Sequence, residues 1–290
     1  MIKLNLATEI DWSAPWLGVC RELGLEVLTM NHPNPLNPLG QLNQCDDTSL
    51  VNALNRCKGE LDFNFKDQDE LGESFTYEAY VYRNRCIPTR ANLHDFFNGL
   101  SWIKFSQTKE AMLNLQAAEF FKTSPHSVDL KSENTPFKAS APSARGAVRD
   151  SLTVFDENGI LLQADERIWH ALEQKDWRSL FVEHRALWQN SRVWVFGHAL
   201  LEKLTNPRPT ITGHVLRLNV PVGLVESDLD TWLAKHIPQL DWASKPFTPI
   251  QVLGIPGWWA ANEEMGFYEN TEVFRISKAA PSMNLNLKVL

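Results

Sequence analysis

The chain has 290 residues, of which 43% are hydrophobic and 22% charged, so it can bury a substantial core. Its net charge of −7 disfavours non-specific binding to nucleic acid or to an anionic membrane, because both require a basic surface. The first residues contain no apolar signal sequence, and no apolar stretch approaches the roughly 18 residues of a membrane span, so we expect a cytoplasmic protein.

Helical periodicity dominates the chain. It predicts helices at 14–23, 47–57, 75–85, 92–103, 107–121, 145–154, 165–174, 177–189, 197–205 and 226–236. Strands are predicted only at 61–65 and 211–220, where apolar residues alternate or are β-branched. We therefore expect a mainly α (α+β) fold, a single compact helical domain over residues 1–290 with a small β component. Residues 122–144 are rich in Ser, Pro and Lys and lack periodicity, which predicts a mobile loop or insertion.

The segment NLHDFFNGLSW, residues 92–102, predicts a helix with two contrasting faces. Its leucines and phenylalanines form a core-facing stripe, while His94, Asn98 and Ser101 project on the other side with Asp95 and Trp102 beside them. An indole is of little use on a face made only for solvent, so we expect other structure to cover this face. The polar groups would then serve either as a site, with His94 as acid/base or metal ligand, or as partners of nearby backbone groups. The helix alone favours the second interpretation.

The segment GHALLEK places His198 and Glu202 one helical turn apart on one face. This spacing is compatible with zinc but is far less specific than HExxH, and the motif alone favours a structural His–Glu hydrogen bond at the start of a helix. Since buried polar groups need complementary partners, we expect this segment to pack on the polar face of helix 92–102 and to bring His94 close to His198.

The segment RGAVRDSLTVFDENG places Arg145 and Arg149 one turn apart. Two guanidinium groups on one face could hold a phosphate or carboxylate, or could pair with nearby acidic residues. The segment DENG is typical of a turn in which Gly159 has positive φ. This favours turn roles for Asp156 and Glu157, although such a turn can also present carboxylates to a metal.

Four segments in a fixed order resemble an uncharacterised bacterial family, domain-of-unknown-function family 3025. They cover most of residues 75–275 and read YEAYVYRNRCIPTRANLHDFFNGLSWIKFSQTKEAMLNLQ, RGAVRDSLTVFDENG, VFGHALLEKLTNP and VLGIPGWWAANEEMGFYENTEVFR. The resemblance implies a bacterial protein. It implies no activity, cofactor or site residue, because none is established for the family.

The functional hypothesis is therefore built from the residues alone, and it is a hydrolase-type enzyme that acts on a small anionic substrate. We predict catalytic roles for His94, Asp95, Asn98, His198 and Glu202, and substrate binding by Arg90, Arg145, Arg149 and Trp102. A divalent metal such as zinc is an optional cofactor, with His94, His198 and Glu202 as its ligands. The alternatives are a non-catalytic protein that binds a ligand or peptide in a Trp-rich cleft, and a purely structural polar network. We expect no nucleic-acid or membrane partner, and the sequence does not indicate an oligomeric state.

Overall fold

A computed structural model describes residues 10–30, 47–70, 76–123 and 146–275 of the chain. Within these ranges the fold is mainly helical with a small β component, as predicted. The predicted loop 122–144 lies outside the described residues except for its first two positions, and so does Arg145.

The α-helices supply most of the walls of the site described below. They are α1 (Arg21–Met30), α2 (Asp47–Cys57), α3 (Tyr77–Asn84), α4 (Leu93–Lys104), α5 (Ser106–Thr123), α6 (Ala147–Asn158), α7 (Glu166–Gln174), α8 (His198–Lys203) and α9 (Leu229–His236). Short 3₁₀ segments join several of them. Among the described residues, no helix combines the length and the apolar character that crossing a membrane would require.

The strands form two small sheets. In the first, β1 (Asn64–Asp67) pairs in parallel with β2 (Cys86–Thr89). The second has the order β4-β3-β5-β6 and contains β3 (Gly159–Gln163), β4 (Arg192–Val195), β5 (Thr212–Leu216) and β6 (Phe247–Gln251). The β3–β5 pair is parallel and the other two pairs are antiparallel. Every residue of β3 is buried, so this strand places the second sheet in the core. It also fixes the C-terminal end of α6, which directly precedes it.

Two predicted helices take a different form. At 177–189 the chain forms a π-helical turn, Ser179–Glu183, followed by a 3₁₀ helix, Arg185–Asn190. At 14–23 it forms a 3₁₀ turn, Pro15–Leu17, and α1 begins only at Arg21. Both segments carry helical periodicity. The spacing of apolar residues does not separate an α-helix from a 3₁₀ or π helix, in which each amide bonds to a different carbonyl.

The first turn of α5 is capped by a residue from α9. The helix predicted at 107–121 begins one residue earlier, at Ser106. The carboxylate of Asp230 accepts hydrogen bonds from the backbone N–H groups of Gln107, at 3.0 Å, and Thr108, at 2.9 Å. The cap satisfies amides that have no partner within the helix, and it sets the position of Lys109, the next residue.

The buried apolar side chains form one continuous cluster, and α4 lies within it. On one side α4 approaches α2 closely at Gly99, where an added Cβ would lie 2.7 Å from a methyl carbon of Leu54. On another side α4 packs on α8. Since Phe96, Phe97 and Leu100 are fully buried, the apolar stripe predicted for this helix is confirmed.

Candidate functional site: a polar network beside a cavity

The polar face of α4 is covered by other parts of the fold. Asp95, Asn98, Ser101 and Trp102 are all buried, as the presence of an indole among them predicts. The segment that covers part of this face is α8, so the predicted contact between the two motifs is confirmed.

A pair of histidines forms the centre of that contact. The Nε2 atoms of His94 and His198 are 3.2 Å apart. Nδ1 of His94 lies 2.9 Å from a carboxylate oxygen of Glu202, and Nδ1 of His198 lies 2.9 Å from the backbone carbonyl oxygen of Asp156. Three segments distant in sequence thus meet in one hydrogen-bonded chain: α4, α6 and α8.

The partners of the two imidazoles determine where their protons lie. A carboxylate and a carbonyl oxygen only accept hydrogen bonds, so both Nδ1 atoms carry hydrogen and donate it. Each Nε2 of a neutral pair would then present a lone pair to the other, which is repulsive at this distance. A single additional proton on the Nε2 of His94 removes the repulsion, because it can be donated to His198. The two Nε2 atoms therefore attract each other only when one of them carries a hydrogen.

The approach of α8 to the end of α6 depends on Gly197. A Cβ added to this residue would lie 2.5 Å from each of three backbone atoms, in Glu157, Asn158 and Gly159. The backbone N–H of Gly197 also donates to the carbonyl oxygen of Gly159 at 2.9 Å. The missing side chain lets the following residue, His198, reach the carbonyl of Asp156.

A buried lysine extends the network away from the histidines. Nζ of Lys109 donates to the Asp156 carboxylate at 2.6 Å and to the side-chain oxygen of Asn98 at 3.1 Å. Asn98 in turn donates through its Nδ2 to the hydroxyl oxygen of Tyr77 at 2.9 Å. The ammonium also lies 5.2 Å from the ring centroid of Trp102, within range of a cation–π interaction. Lys109 is 4% exposed, so its charge depends on these partners.

Burial and charge shift three pKa values in this network. Burial lowers the pKa of His198 to about 4, and the Lys109 charge contributes in the same direction. Burial alone would raise the pKa of Asp156, but the Lys109 ammonium brings it below its ordinary value. Burial raises the pKa of Tyr77. At neutral pH His198 is therefore neutral, Asp156 is ionised and the hydroxyl of Tyr77 keeps its proton.

The network borders a cavity of about 180 Å³. Residues from α3, α4, α5, α6 and α8 line it, and they include both histidines, Tyr77, Trp102 and Lys109. The side chain of His94 is 37% exposed, whereas His198 is buried beneath it. His94 is thus the member of the pair that a molecule in the cavity could contact. Trp102 is the only tryptophan among the described lining residues, so this cavity is not the Trp-rich cleft of the binding-protein alternative.

Several predicted site residues have other partners. The guanidinium of Arg90 donates to both carboxylate oxygens of Asp95, at 2.8 and 3.2 Å, and the pair clamps the chain entering α4. Asp95 is therefore directed at Arg90 and not at the histidines. Arg149 is half-buried in α6 and also has a partner, and Arg145 lies outside the described residues. None of these arginines is shown to be free to hold an anion.

The three proposed metal ligands do not converge on one point. Glu202 contacts Nδ1 of His94, whereas His198 faces Nε2 on the opposite edge of the same ring. Among the residues that the structure describes, no three His, Cys, Asp or Glu side chains are grouped to hold a metal ion. Glu202 acts as an orienting acceptor for His94.

Lys109, Asp156 and Tyr77 are the site residues that the sequence interpretation missed. Asp156 and Glu157 lie in the last turn of α6, and Gly159 has a φ of −69°, so the predicted turn with positive φ is wrong. Lys109 sits in a helix whose buried face the periodicity predicts only weakly, and a lysine is usually exposed. Its position one turn into α5 carries no sequence signal for burial.

His198 should make folding stability depend on pH. Its pKa in the folded protein, about 4, lies below its ordinary value of 6.5, so in this interval the unfolded chain binds a proton that the folded chain does not. The contribution of neutral His198 to the free energy of unfolding is complete above pH 6.5 and is lost as pH falls. We expect His198 to lower stability by about 2 kcal/mol between pH 7 and pH 5.

Urea unfolding of the wild type and of His198→Asn at both pH values measures this contribution. The asparagine amide can still donate toward the Asp156 carbonyl but does not titrate. Equal pH dependence in the two proteins would show that His198 is not the responsible group.

Comparison with protein families places the chain. No curated protein and no solved structure matches it. The model of one family, described as Protein of unknown function (DUF3025), matches residues 63–278, which include all the residues of the polar network. The match covers more than half of the chain and agrees with the resemblance of its four motifs. The chain belongs to the DUF3025 family.

Proposed function

We propose that this protein is a hydrolase that uses His94 for acid–base catalysis on a small molecule bound in the cavity. The observation that carries the proposal is the hydrogen-bonded chain from Glu202 through His94 to the buried His198, at the wall of a polar cavity. A carboxylate that accepts from Nδ1 of a histidine orients the ring and stabilises the imidazolium.

The proposed reaction needs only water and the substrate. With both imidazoles neutral, Nε2 of His94 turns toward the cavity and takes a proton from a water molecule as the water oxygen attacks a substrate carbonyl carbon. The imidazolium then returns that proton to the leaving group as its bond to carbon breaks. The repulsion between the two Nε2 lone pairs favours this turn, because it moves the lone pair of His94 away from His198.

One hydrogen-bond donor at the cavity supports the proposal. Tyr77 accepts a bond from Asn98 and keeps its own O–H for a further acceptor. A substrate carbonyl oxygen would accept this bond, and the negative charge that the oxygen acquires during attack would strengthen it.

The test is hydrolysis of para-nitrophenyl esters and anilides of short carboxylic acids by the purified chain. His94→Ala should lower kcat/KM by about 100-fold or more, in keeping with the usual contribution of general acid–base catalysis. Glu202→Gln should lower kcat with little change in KM. The matched control is His170→Ala, an exposed histidine on α7, which should leave the rate unchanged.

Metal content provides a second arm of the same test. Activity that survives chelation supports the acid–base role of His94. If chelation abolishes activity and added zinc restores it, the acid–base role of His94 is overturned and a metal-dependent reaction is favoured. Absence of hydrolysis with every substrate class, in a protein that still binds ligands in the cavity, would favour the non-catalytic alternative.

A further inference from the structure

We propose that the histidine pair binds one divalent metal ion that prefers nitrogen ligands, such as zinc, through the Nε2 atoms of His94 and His198. The ion's effect on the reaction rests on the proposed function. An ion on Nε2 of His94 occupies the atom that takes the proton from water, so zinc acts as an inhibitor. The site differs from the one expected from the sequence, because Glu202 orients His94 and is not a ligand.

Both imidazoles present the same nitrogen to the same place. Their Nδ1 atoms donate to oxygen acceptors, the Glu202 carboxylate and the Asp156 carbonyl, each at 2.9 Å. The hydrogen of each neutral ring is therefore on Nδ1, and each Nε2 keeps a lone pair. A histidine that binds a metal through one nitrogen almost always donates from the other to a carboxylate, a backbone carbonyl or water. Both rings of the pair have this arrangement.

The separation of the two Nε2 atoms suits a shared ion. They are 3.2 Å apart. Zinc–nitrogen bonds are about 2.0–2.1 Å long, so two nitrogens on neighbouring corners of a tetrahedron lie about 3.3 Å apart. A cation bound to both lone pairs also removes the repulsion between them. The neutral pair therefore has the spacing of two ligands before any ion binds.

The orientation of the rings favours a shared ion over a straight hydrogen bond. The ring centroids are 4.6 Å apart and the ring planes are inclined at 77°. A straight N–H···N bond of the observed length would place the centroids about 5.5 Å apart. The shorter distance means that at least one Nε2 lone pair is not directed straight at the other nitrogen. One ion bound to both nitrogens requires an angle between the two lone pairs.

An ion can reach the pair from the cavity. His94 and His198 both line it, and the side chain of His94 is 37% exposed. The ammonium of Lys109 is bound to the Asp156 carboxylate, which offsets its charge. Among the described residues no third His, Cys, Asp or Glu joins the pair, so water molecules in the cavity would complete the coordination. An ion with two protein ligands exchanges readily, as an inhibitor must.

Calorimetric titration of the chelator-treated chain with Zn²⁺ alone tests the site. We expect Glu202→Gln to weaken zinc binding by about 10-fold, a usual cost of losing the partner of a metal-binding histidine. His94→Ala and His198→Asn each remove a ligand and should weaken binding by more than about 10-fold. Mg²⁺ should not compete with zinc, because it prefers oxygen ligands.

The matched control is His170→Ala, an exposed histidine on α7 outside the cavity, which should bind zinc as the wild type does. Thermal unfolding shows whether each variant is folded. Zinc should raise the unfolding temperature of the wild type and of the control more than that of His94→Ala, because an ion that binds the folded state stabilises it. Equal zinc affinity in the wild type, His94→Ala and His198→Asn would overturn the assignment of these ligands.

Binding measured without a substrate separates this inference from the proposed function. If zinc binds to the pair and no ester is hydrolysed, the hydrolase proposal fails and the metal site stands. If esters are hydrolysed and zinc neither binds nor inhibits, the metal inference is overturned and the hydrolase proposal is unaffected. If both proposals hold, zinc lowers kcat/KM in proportion to the occupancy measured by calorimetry, and a chelator restores it. A rate that zinc increases would overturn the inhibitory role.

Discussion

Replacing Lys109 by methionine should lower the free energy of unfolding by about 3 kcal/mol, a typical cost of removing one partner from a buried ion pair. The lysine is 4% exposed, and its ammonium lies 2.6 Å from Asp156. Methionine fills much of the same volume, so the decrease in the free energy of unfolding measures the loss of the charge and of its hydrogen bonds. The carboxylate of Asp156 and the amide oxygen of Asn98 would both lose their donor.

Chemical denaturation of four proteins measures the effect: the wild type, Lys109→Met, Asp156→Asn and the double variant. We expect the double variant to lose less stability than the two single variants together, because it removes both charges. Lys203→Met is the matched control, since this lysine is exposed on α8 and bonds only to Asn158, and it should change stability by less than about 1 kcal/mol. Additive single effects would contradict the ion-pair explanation.

Gly197→Ala should destabilise the protein by about 3 kcal/mol, at the upper end of what overpacking a well-packed site costs. The new Cβ would lie 2.5 Å from three backbone atoms at the end of α6, and backbone cannot move aside as a flexible side chain does. The φ of −70° at this residue is ordinary for alanine, so the effect arises from the contact and not from backbone strain.

The glycine that precedes α6 provides the control. Gly146 also begins a helix, has a φ of −62°, and has open space where its Cβ would lie. Gly146→Ala should change stability by less than about 1 kcal/mol. Gly197→Ala should also separate His198 from the Asp156 carbonyl, which a crystal structure of the variant would measure directly. An unchanged separation together with unchanged stability would mean that the contact is easily relieved.

The polar face of α4 and its cover could be predicted because both follow from local patterns. Helical spacing puts His94 and Asn98 on one face, and the buried indole of Trp102 requires neighbours. The i,i+4 spacing of His198 and Glu202 then supplies a complementary face. These inferences need no knowledge of the full chain path, and the contact they predict exists.

The remaining network residues could not be predicted, because their roles come from contacts between distant segments. Asp156 is read locally as a turn residue, and its backbone carbonyl becomes a partner of His198 only through the close approach of α8 to α6. Lys109 is buried against partners on α4 and α6, not because its neighbours in sequence are apolar. The short strands at β2, β3, β4 and β6 escape prediction for a related reason. Buried apolar segments such as β3 lack alternation, so periodicity alone does not separate them from helix.

The capping of α5 by Asp230 has a consequence for the order in which the protein assembles during synthesis. The chain leaves the ribosome from its N-terminus, so α5 emerges well before the aspartate that satisfies its first amides. The same holds for His94, whose partners His198 and Glu202 come about a hundred residues later. A nascent chain that ends before α9 would carry all the described lining residues but not the cap of α5, the helix that carries Lys109. The site is therefore completed late in translation, and truncation from the C-terminus should remove it before it removes the helices that form its walls.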